Sequence, residues 1–310
     1  MRITNSSMIT NHMFDTQQTL ERMDNLNRQL DTSKQINRVS DDPHKAIKIM
    51  NLNNELKFTE KYNQNVEETV GWMNNTDSTL QEVGDLLGEI KTNILKVGNG
   101  TYNDEEIKAI HAEMNEKIKE LGECLNSSHG GRHMFSGTAV NEVPVVMEEK
   151  DGVVTLKVNS AVNDKDLKAE LSDGITVDYN VSAKEIFEKD GKNYLDQINH
   201  LSKLMNDISN GKDVESNKKE LLGTVKDDID GLFNHTIDTR TTFGVRVNTA
   251  EKIKDFNDEN ILNMKAVLSS EQDVDHVKKF IELKSAELVY NASVQVGAKL
   301  IQPTVLDYLR

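Results

Sequence analysis

The chain has 310 residues and carries 52 Asp and Glu against 37 Lys and Arg, a formal net charge of −15. That balance, with no Lys/Arg block, argues against a nonspecific grip on nucleic acid or an anionic membrane, and a single cysteine, Cys124, excludes an intramolecular disulfide. Hydrophobic residues are 36%, aromatics 5% and mean hydropathy −0.59, lean for a compact enzyme and ordinary for an elongated body of long helices that each bury one stripe.

The N-terminus, Met1-Arg2-Ile3-Thr4-Asn5-Ser6, continues into polar residues with no apolar run of signal-peptide length, and no stretch approaches the roughly 18 apolar residues of a membrane span. The first dozen residues read as loosely held. Leu20, Met23, Asn27 and Leu30 then form a weak stripe on a helix of about twenty residues. Only Pro43, Pro144 and Pro303 interrupt the chain as obligatory helix breakers. Ser40-Asp41-Asp42-Pro43 supplies capping side chains, acidic charge and a proline for a first turn, so a long helix is predicted to begin near Pro43.

Within that helix Tyr62, Val66, Thr69, Met73, Thr76, Leu80, Val83, Leu87, Ile90, Ile94 and Val97 alternate steps of four and three without a break. This is a heptad seam about 50 Å long. Gly98 and Gly100 suit the C-terminal end, and Asn103 caps the next helix with Glu106 at the capping-box position. The returning helix carries Ile107, His111, Met114, Ile118, Leu121 and Leu125, and stops at Gly130-Gly131.

The middle is β-branched. Val143, Val145 and Val146, the run Val153 to Val158, and Ile175 to Tyr179 flank turns at Lys150-Asp151-Gly152 and Ser172-Asp173-Gly174. Helices resume with Leu195, Ile198, Leu201, Met205 and Ile208 on one face, Gly211 as a stop, then Leu221, Val225, Ile229 and Leu232. A last helical stretch is predicted from Phe243 to the C-terminus, with an interruption at Ser269-Ser270. The organisation predicted is a terminal-helix segment over 1–42, a long helical hairpin over 43–136, a small β-rich insert over 137–182, a helical return over 183–270, and an apolar terminal helix over 271–310. The fold class is mainly α, a long antiparallel helical bundle or coiled coil formed by the N- and C-terminal segments.

Side chains that could carry chemistry do not converge. Cys124, His129 and His133 have metal-ligand spacing, but no fourth ligand is in reach and the loop between them reads as a helix end. His111 reads as a polar residue in the seam. Asp228-x-Asp230-Gly231 resembles part of a calcium loop, yet Lys226 stands at its first ligand position and Ile237 at its twelfth. No nucleophile elbow, phosphate loop or zinc-protease string occurs. No catalytic, cofactor-binding or metal residues are therefore expected. Trp72, the only tryptophan, falls one position off the seam, where packing against a further element and partial exposure are both open.

The tail is the exception. From Ile281 onward Leu283, Ala286, Leu288, Val289, Val294, Val296, Leu300, Ile301, Val305 and Leu306 put apolar groups on every face. A helix apolar all round must be buried, and a slender helical body offers little interior. Other copies of the chain or a neighbouring protein would enclose it.

The two ends resemble those of a known family. Met1-Arg2-Ile3-Thr4-Asn5-Ser6, the helix with Leu26 and Leu30, and Ile36-Asn37-Arg38-Val39-Ser40-Asp41-Asp42-Pro43 are similar to the N-terminal region of the bacterial flagellin-like family, nearest to its hook-associated protein 3 branch. Gly130-Gly131-Arg132-His133-Met134-Phe135-Ser136-Gly137-Thr138 resembles a turn of that family. Asp273-Val274-Asp275, Tyr290-Asn291-Ala292 and Leu300 to Leu309 resemble its terminal helix. The resemblance covers about 1–138 and 243–310.

It implies a non-enzymatic subunit of the flagellum that joins hook to filament and assembles through its terminal helices. The contacts would involve Leu20, Met23, Leu26, Leu30, Leu288, Val296, Leu300, Ile301, Val305 and Leu306. The implied partners are further copies in a ring, a neighbouring hook-associated protein, flagellin, and an export chaperone at the C-terminal helix. The implied route is secretion through the flagellar export apparatus to an extracellular position. A self-polymerising flagellin, a cytoplasmic helical scaffold or signalling module, and an enzyme with its site in the β-rich insert are the competing readings.

Overall fold

The structure is a computed structural model that describes residues 5–98, 103–163, 165–189 and 191–300. In chain order its elements are α1 (Asn5–Thr32), α2 (Pro43–Gly98), α3 (Asp104–Leu125), β1 (Ser128–His129), β2 (Arg132–His133), β3 (Val145–Lys150), β4 (Val153–Val158), β5 (Lys168–Ser172), β6 (Ile175–Asp178), α4 (Ala183–Phe187), β7 (Glu188–Lys189), β8 (Lys192–Asn193), α5 (Tyr194–Ser209), α6 (Val214–Glu220), a π-turn (Leu221–Val225), α7 (Lys226–Gln272) and α8 (His276–Leu300). The fold is mainly α, with four antiparallel two-stranded hairpins in the middle. The chain divides into two compact units: residues 59–258, and residues 1–58 together with 259–310.

The first of these units is built on the α2 seam. Val66, Thr69, Met73, Thr76, Leu80, Val83, Leu87, Ile90, Ile94 and Val97 are all buried. They share one continuous core with Ile107, Met114, Ile118, Leu121 and Leu125 of α3, the Leu195 to Ile208 face of α5, and Leu221, Val225, Ile229 and Leu232. Asn103 closes the reciprocal capping box with Glu106 that starts α3. At the other end of α2, a Cβ on Gly98 would lie 2.1 Å from Leu222 Cδ2, so only glycine permits that approach.

The hairpin turns fall where the sequence places them, with Asp151 and Gly152 at φ 51° and 78° between β3 and β4. Two-stranded sheets have open edges, and here side-chain amides close part of them. Asn199 of α5 accepts from Leu156 N at 2.7 Å and donates to Leu156 O at 2.9 Å. Asn126 does the same for Val145, at 2.8 Å in both directions.

Two helices depart from the sequence reading. α1 starts at Asn5 and runs for 28 residues, and its Ser/Thr-rich start is accommodated in the helix with the Thr10 and Thr16 hydroxyls donating to the carbonyls of Ser6 and His12. The last stretch does not begin at Phe243. The π-turn carries the chain from α6 into α7 without a cap, so Leu221 to Leu232 and Phe243 lie on one continuous helical run. The interruption comes at 273–275, just past Ser269-Ser270, where Ser269 donates to Asp273 Oδ2 at 2.5 Å.

In the second unit α1 packs against α8. Asp42 caps α2 by accepting from Lys45 N at 3.0 Å, with Pro43 in the first turn. The α1–α2 connection is clasped to the α7–α8 break: Gln35 N donates to Gln272 O at 2.7 Å, Val274 N to Ser33 O at 3.1 Å, and Lys48 pairs with Glu271 at 2.7 Å. That ammonium holds the Glu271 carboxyl below the usual carboxylate range.

Candidate functional site

The unusual surface is the α1/α8 pair. Shielded positions on α1 recur at Ile9, His12, Thr16, Thr19, Met23, Leu26 and Leu30, steps of three and four in alternation. On α8 they recur at Lys279, Leu283, Ala286, Tyr290, Ser293 and Gly297, again in heptad steps. Thr16 meets Ser293 through their hydroxyls at 2.9 Å, and His12 lies so close to Gly297 that a Cβ there would sit 2.6 Å from its Nε2. Leu26 packs with Leu283 and Ala286, so the helices run antiparallel.

The content of this seam is inverted. Small and polar residues occupy most of it, and its buried apolar core is Leu26, Leu283 and Ala286, flanked by Met23 and Leu30. Large apolar residues face outward: Met13, Phe14 and Leu20 on α1, and Val277, Phe280, Ile281, Leu288, Val289, Val294 and Val296 on α8. Val277 is 72% exposed, Ile281 64% and Leu288 71%. Ile281 and Leu288 are seven apart, as are Val289 and Val296, and Met13 and Leu20. Each pair starts a further stripe at coiled-coil spacing on a face that the described residues leave exposed.

Of the residues expected to make assembly contacts, Met23, Leu26 and Leu30 lie in the intramolecular seam, whereas Leu20, Leu288 and Val296 are exposed. Leu300 closes α8 but its side chain, like Ile301, Val305 and Leu306, lies outside the described residues. The stripe read through Leu20 and Asn27 is one position off: Thr19 and Leu26 hold the seam, and Leu20 belongs to the outward set. Met13, Phe14, Val277 and Phe280 fall outside the stripes read from the sequence, although Met13 stands seven residues before Leu20 and Val277 four before Ile281.

The groups that could carry chemistry are used for packing. His133 Nδ1 meets Asn126 O at 2.8 Å and His129 Nδ1 meets the Asn75 amide at 2.6 Å. Burial, with the Glu82 carboxylate beside it, pushes the Cys124 thiol up to about 12, far from a metal-binding thiolate at neutral pH. Asp228 lies in α7 and pairs with Lys192, so it is no part of a cation loop. Trp72 is buried, edge-on to His129 and Tyr179 at 5.8 and 6.0 Å between ring centres. Among the described residues no helix is long and apolar enough to cross a membrane.

Residues 3–140 match the bacterial flagellin N-terminal helical region. The chain is 28% identical over 116 residues to the flagellar filament 30.7 kDa core protein of Treponema maltophilum, a match covering 37% of this chain and 41% of that one. It therefore spans about two-fifths of the length of that relative. A structure from Vibrio parahaemolyticus assigned as a flagellar hook-associated protein superposes with a TM-score of 0.64 at 23% identity, covering 75% of this chain and all of that one. Flagellar hook-associated protein 3 from Legionella pneumophila gives 0.63 at 11% identity, covering 72% and 98%. At these identities the structures speak to the fold, and the sequence match speaks to the N-terminal helices. Residues 3–140 of the chain are thus similar to the flagellin N-terminal region, and the chain has the fold of the hook-associated protein 3 structures.

Proposed function

We propose that the chain is a structural subunit of the bacterial flagellum that joins hook to filament, built into a ring of its own copies by the α1/α8 pair. The observation that carries this is the inverted seam. Burying an exposed Leu, Ile, Val or Phe contributes about 1.5–3 kcal/mol, and seven such residues on α8 are exposed, away from its seam with α1, among the described residues. Their stripes lie on more than one face, so one neighbour would leave some of them wet. A ring or tube, in which each copy has several neighbours, covers them all. Ordered stacking on a hook-associated protein below and flagellin above fits the same reading, as does delivery through the flagellar export channel with a chaperone on α8. The role is mechanical and needs no catalytic group.

The reading is tested by imaging flagella from a strain lacking the gene. Bare hooks with flagellin lost to the medium are expected. Filaments of normal length and attachment would overturn it, and long filaments grown from the purified protein alone would favour a flagellin instead.

A further inference from the structure

The unit formed by residues 59–258 holds a cleft of about 570 Å³ that the assembly role leaves unused. One face of α2 lines it with Glu68 and Trp72, the β1–β2 hairpin with His129 and Arg132, and the β5–β6 region with Glu170 and Tyr179. The Trp72 ring stands at 86° to His129 and 89° to Tyr179, so three rings that line the cleft form one edge-to-face cluster. The Trp72 indole N–H is shielded from water and has no acceptor among the described residues, a cost that folded proteins seldom carry without cause. The side chains of Glu68 and Arg132 are exposed and hold no ion pair or hydrogen bond among the described residues. Glu170, in contrast, is committed through its Oε1 to the Tyr62 hydroxyl at 3.4 Å.

We propose that this cleft binds a neutral saccharide of one or two sugar rings. The lining carries two acidic side chains, Glu68 and Glu170, and two basic ones, Arg132 and Lys168, so their formal charges cancel and do not favour a lone cation or anion. Planar carboxylate, guanidinium and amide groups can instead share pairs of neighbouring hydroxyls, and the half-buried rings of His129 and Tyr179, rather than the buried Trp72, are the ones left to meet the C–H groups of a sugar. The volume is that of a small-ligand site. A protein loop is the poorer fit, because a protein interface needs an apolar centre and Ile175 is the one large exposed apolar side chain on the strands that line the cleft.

The only tryptophan of the chain is a built-in reporter. The full-length protein is titrated with chitobiose, maltose and lactose while Trp72 emission is followed, and saturation-transfer NMR records the sugar protons in contact. At least one disaccharide is expected to saturate at millimolar concentration or below. Glu68→Ala and Arg132→Ala, both surface changes, should each weaken it about tenfold with unchanged circular dichroism. Four results overturn the proposal: no disaccharide saturating, inorganic phosphate or tetramethylammonium saturating in place of sugar, both variants binding as the parent does, or raised concentration of the protein alone shifting the emission, which would make a second copy the occupant.

Discussion

Two heptad seams in this chain follow the same spacing and differ in what they bury. Along α2, from Val66 to Val97, the seam is Val, Leu, Ile and Met with two threonines, and every member is shielded by the chain's own helices. Along α1 and α8 the seam mixes a short apolar core of Leu26, Leu283 and Ala286 with Thr16, Thr19, Ser293 and Gly297, while many of the large apolar residues lie on other faces. Spacing fixes which residues share a face, but composition decides whether that face meets its own chain or another. The α2 seam is therefore closed within one copy, whereas the α1/α8 pair leaves large apolar side chains exposed among the described residues.

The widest gap between the two regions should open when charge is placed on the outward face of α8. Ile281→Asp with Leu288→Asp leaves the intramolecular seam untouched, since neither residue lies in it. In an assembly the same carboxylates would be buried without partners, at a cost of several kcal/mol per copy. Electron microscopy is expected to show no rings and no attached filaments, while the main thermal transition of the purified chain stays where it was. Assembly surviving this change would end the comparison, because the exposed stripes would then be ordinary solvent-facing residues.

A truncation in the other seam should do the reverse. Leu87 is fully buried in the core between α2 and its partners, and Leu87→Ala should destabilise the unit of residues 59–258 by about 2–5 kcal/mol. The matched change Leu288→Ala, at a 71% exposed position, should move the same transition by no more than about 0.5 kcal/mol. Urea titrations of both variants read this directly. Similar losses from the two would mean that α8 packs within the monomer on a face that the structure leaves open.

The α2 seam was legible because its aliphatic residues and its burial coincide: ten positions from Val66 on were read from spacing alone and all are buried. The capping box of Asn103 and Glu106 and the turns at Asp151 and Asp173 were equally local, set by side chains a few residues apart. On α1 the strict stripe finds Met23 and Leu30 but is one position off at Leu20 and Asn27, where the chain folds onto Thr19 and Leu26. Apolar pattern finds a core only when the core is intramolecular. For α8 the same logic gave the useful result that no single face could be the buried one, but it could not say that Ala286, Ser293 and Gly297 would face α1, since that choice is made by close approach rather than by hydropathy. Nor could spacing show that Trp72, His129 and Tyr179 meet, because three separate elements bring them together.

The smallest expected effect concerns His111, the one imidazole on the α3 stripe. Its Nε2 lies 3.1 Å from the Asn115 amide, which donates to Gly152 O at 2.8 Å in the β3–β4 turn and accepts from Ser202 Oγ at 3.3 Å. Burial lowers the His111 pKa from its ordinary 6.5, and the backbone of Gly152 offsets this only in part. The native state therefore binds this proton less readily than the unfolded chain does. The stability it contributes is fully present above pH 6.5 and is lost as pH falls through that value toward the lower folded pKa. A modest decline in the melting temperature of the unit of residues 59–258 is expected on acidification below pH 6.5, and His111→Gln should flatten it. Calorimetry across that range checks the slope. A decline that persists unchanged in the variant would place the acid-sensitive group elsewhere, and Glu271 of the α1–α8 clasp, whose lowered carboxyl pKa makes its contribution fade only as pH drops below about 4.5, would titrate too late to account for it.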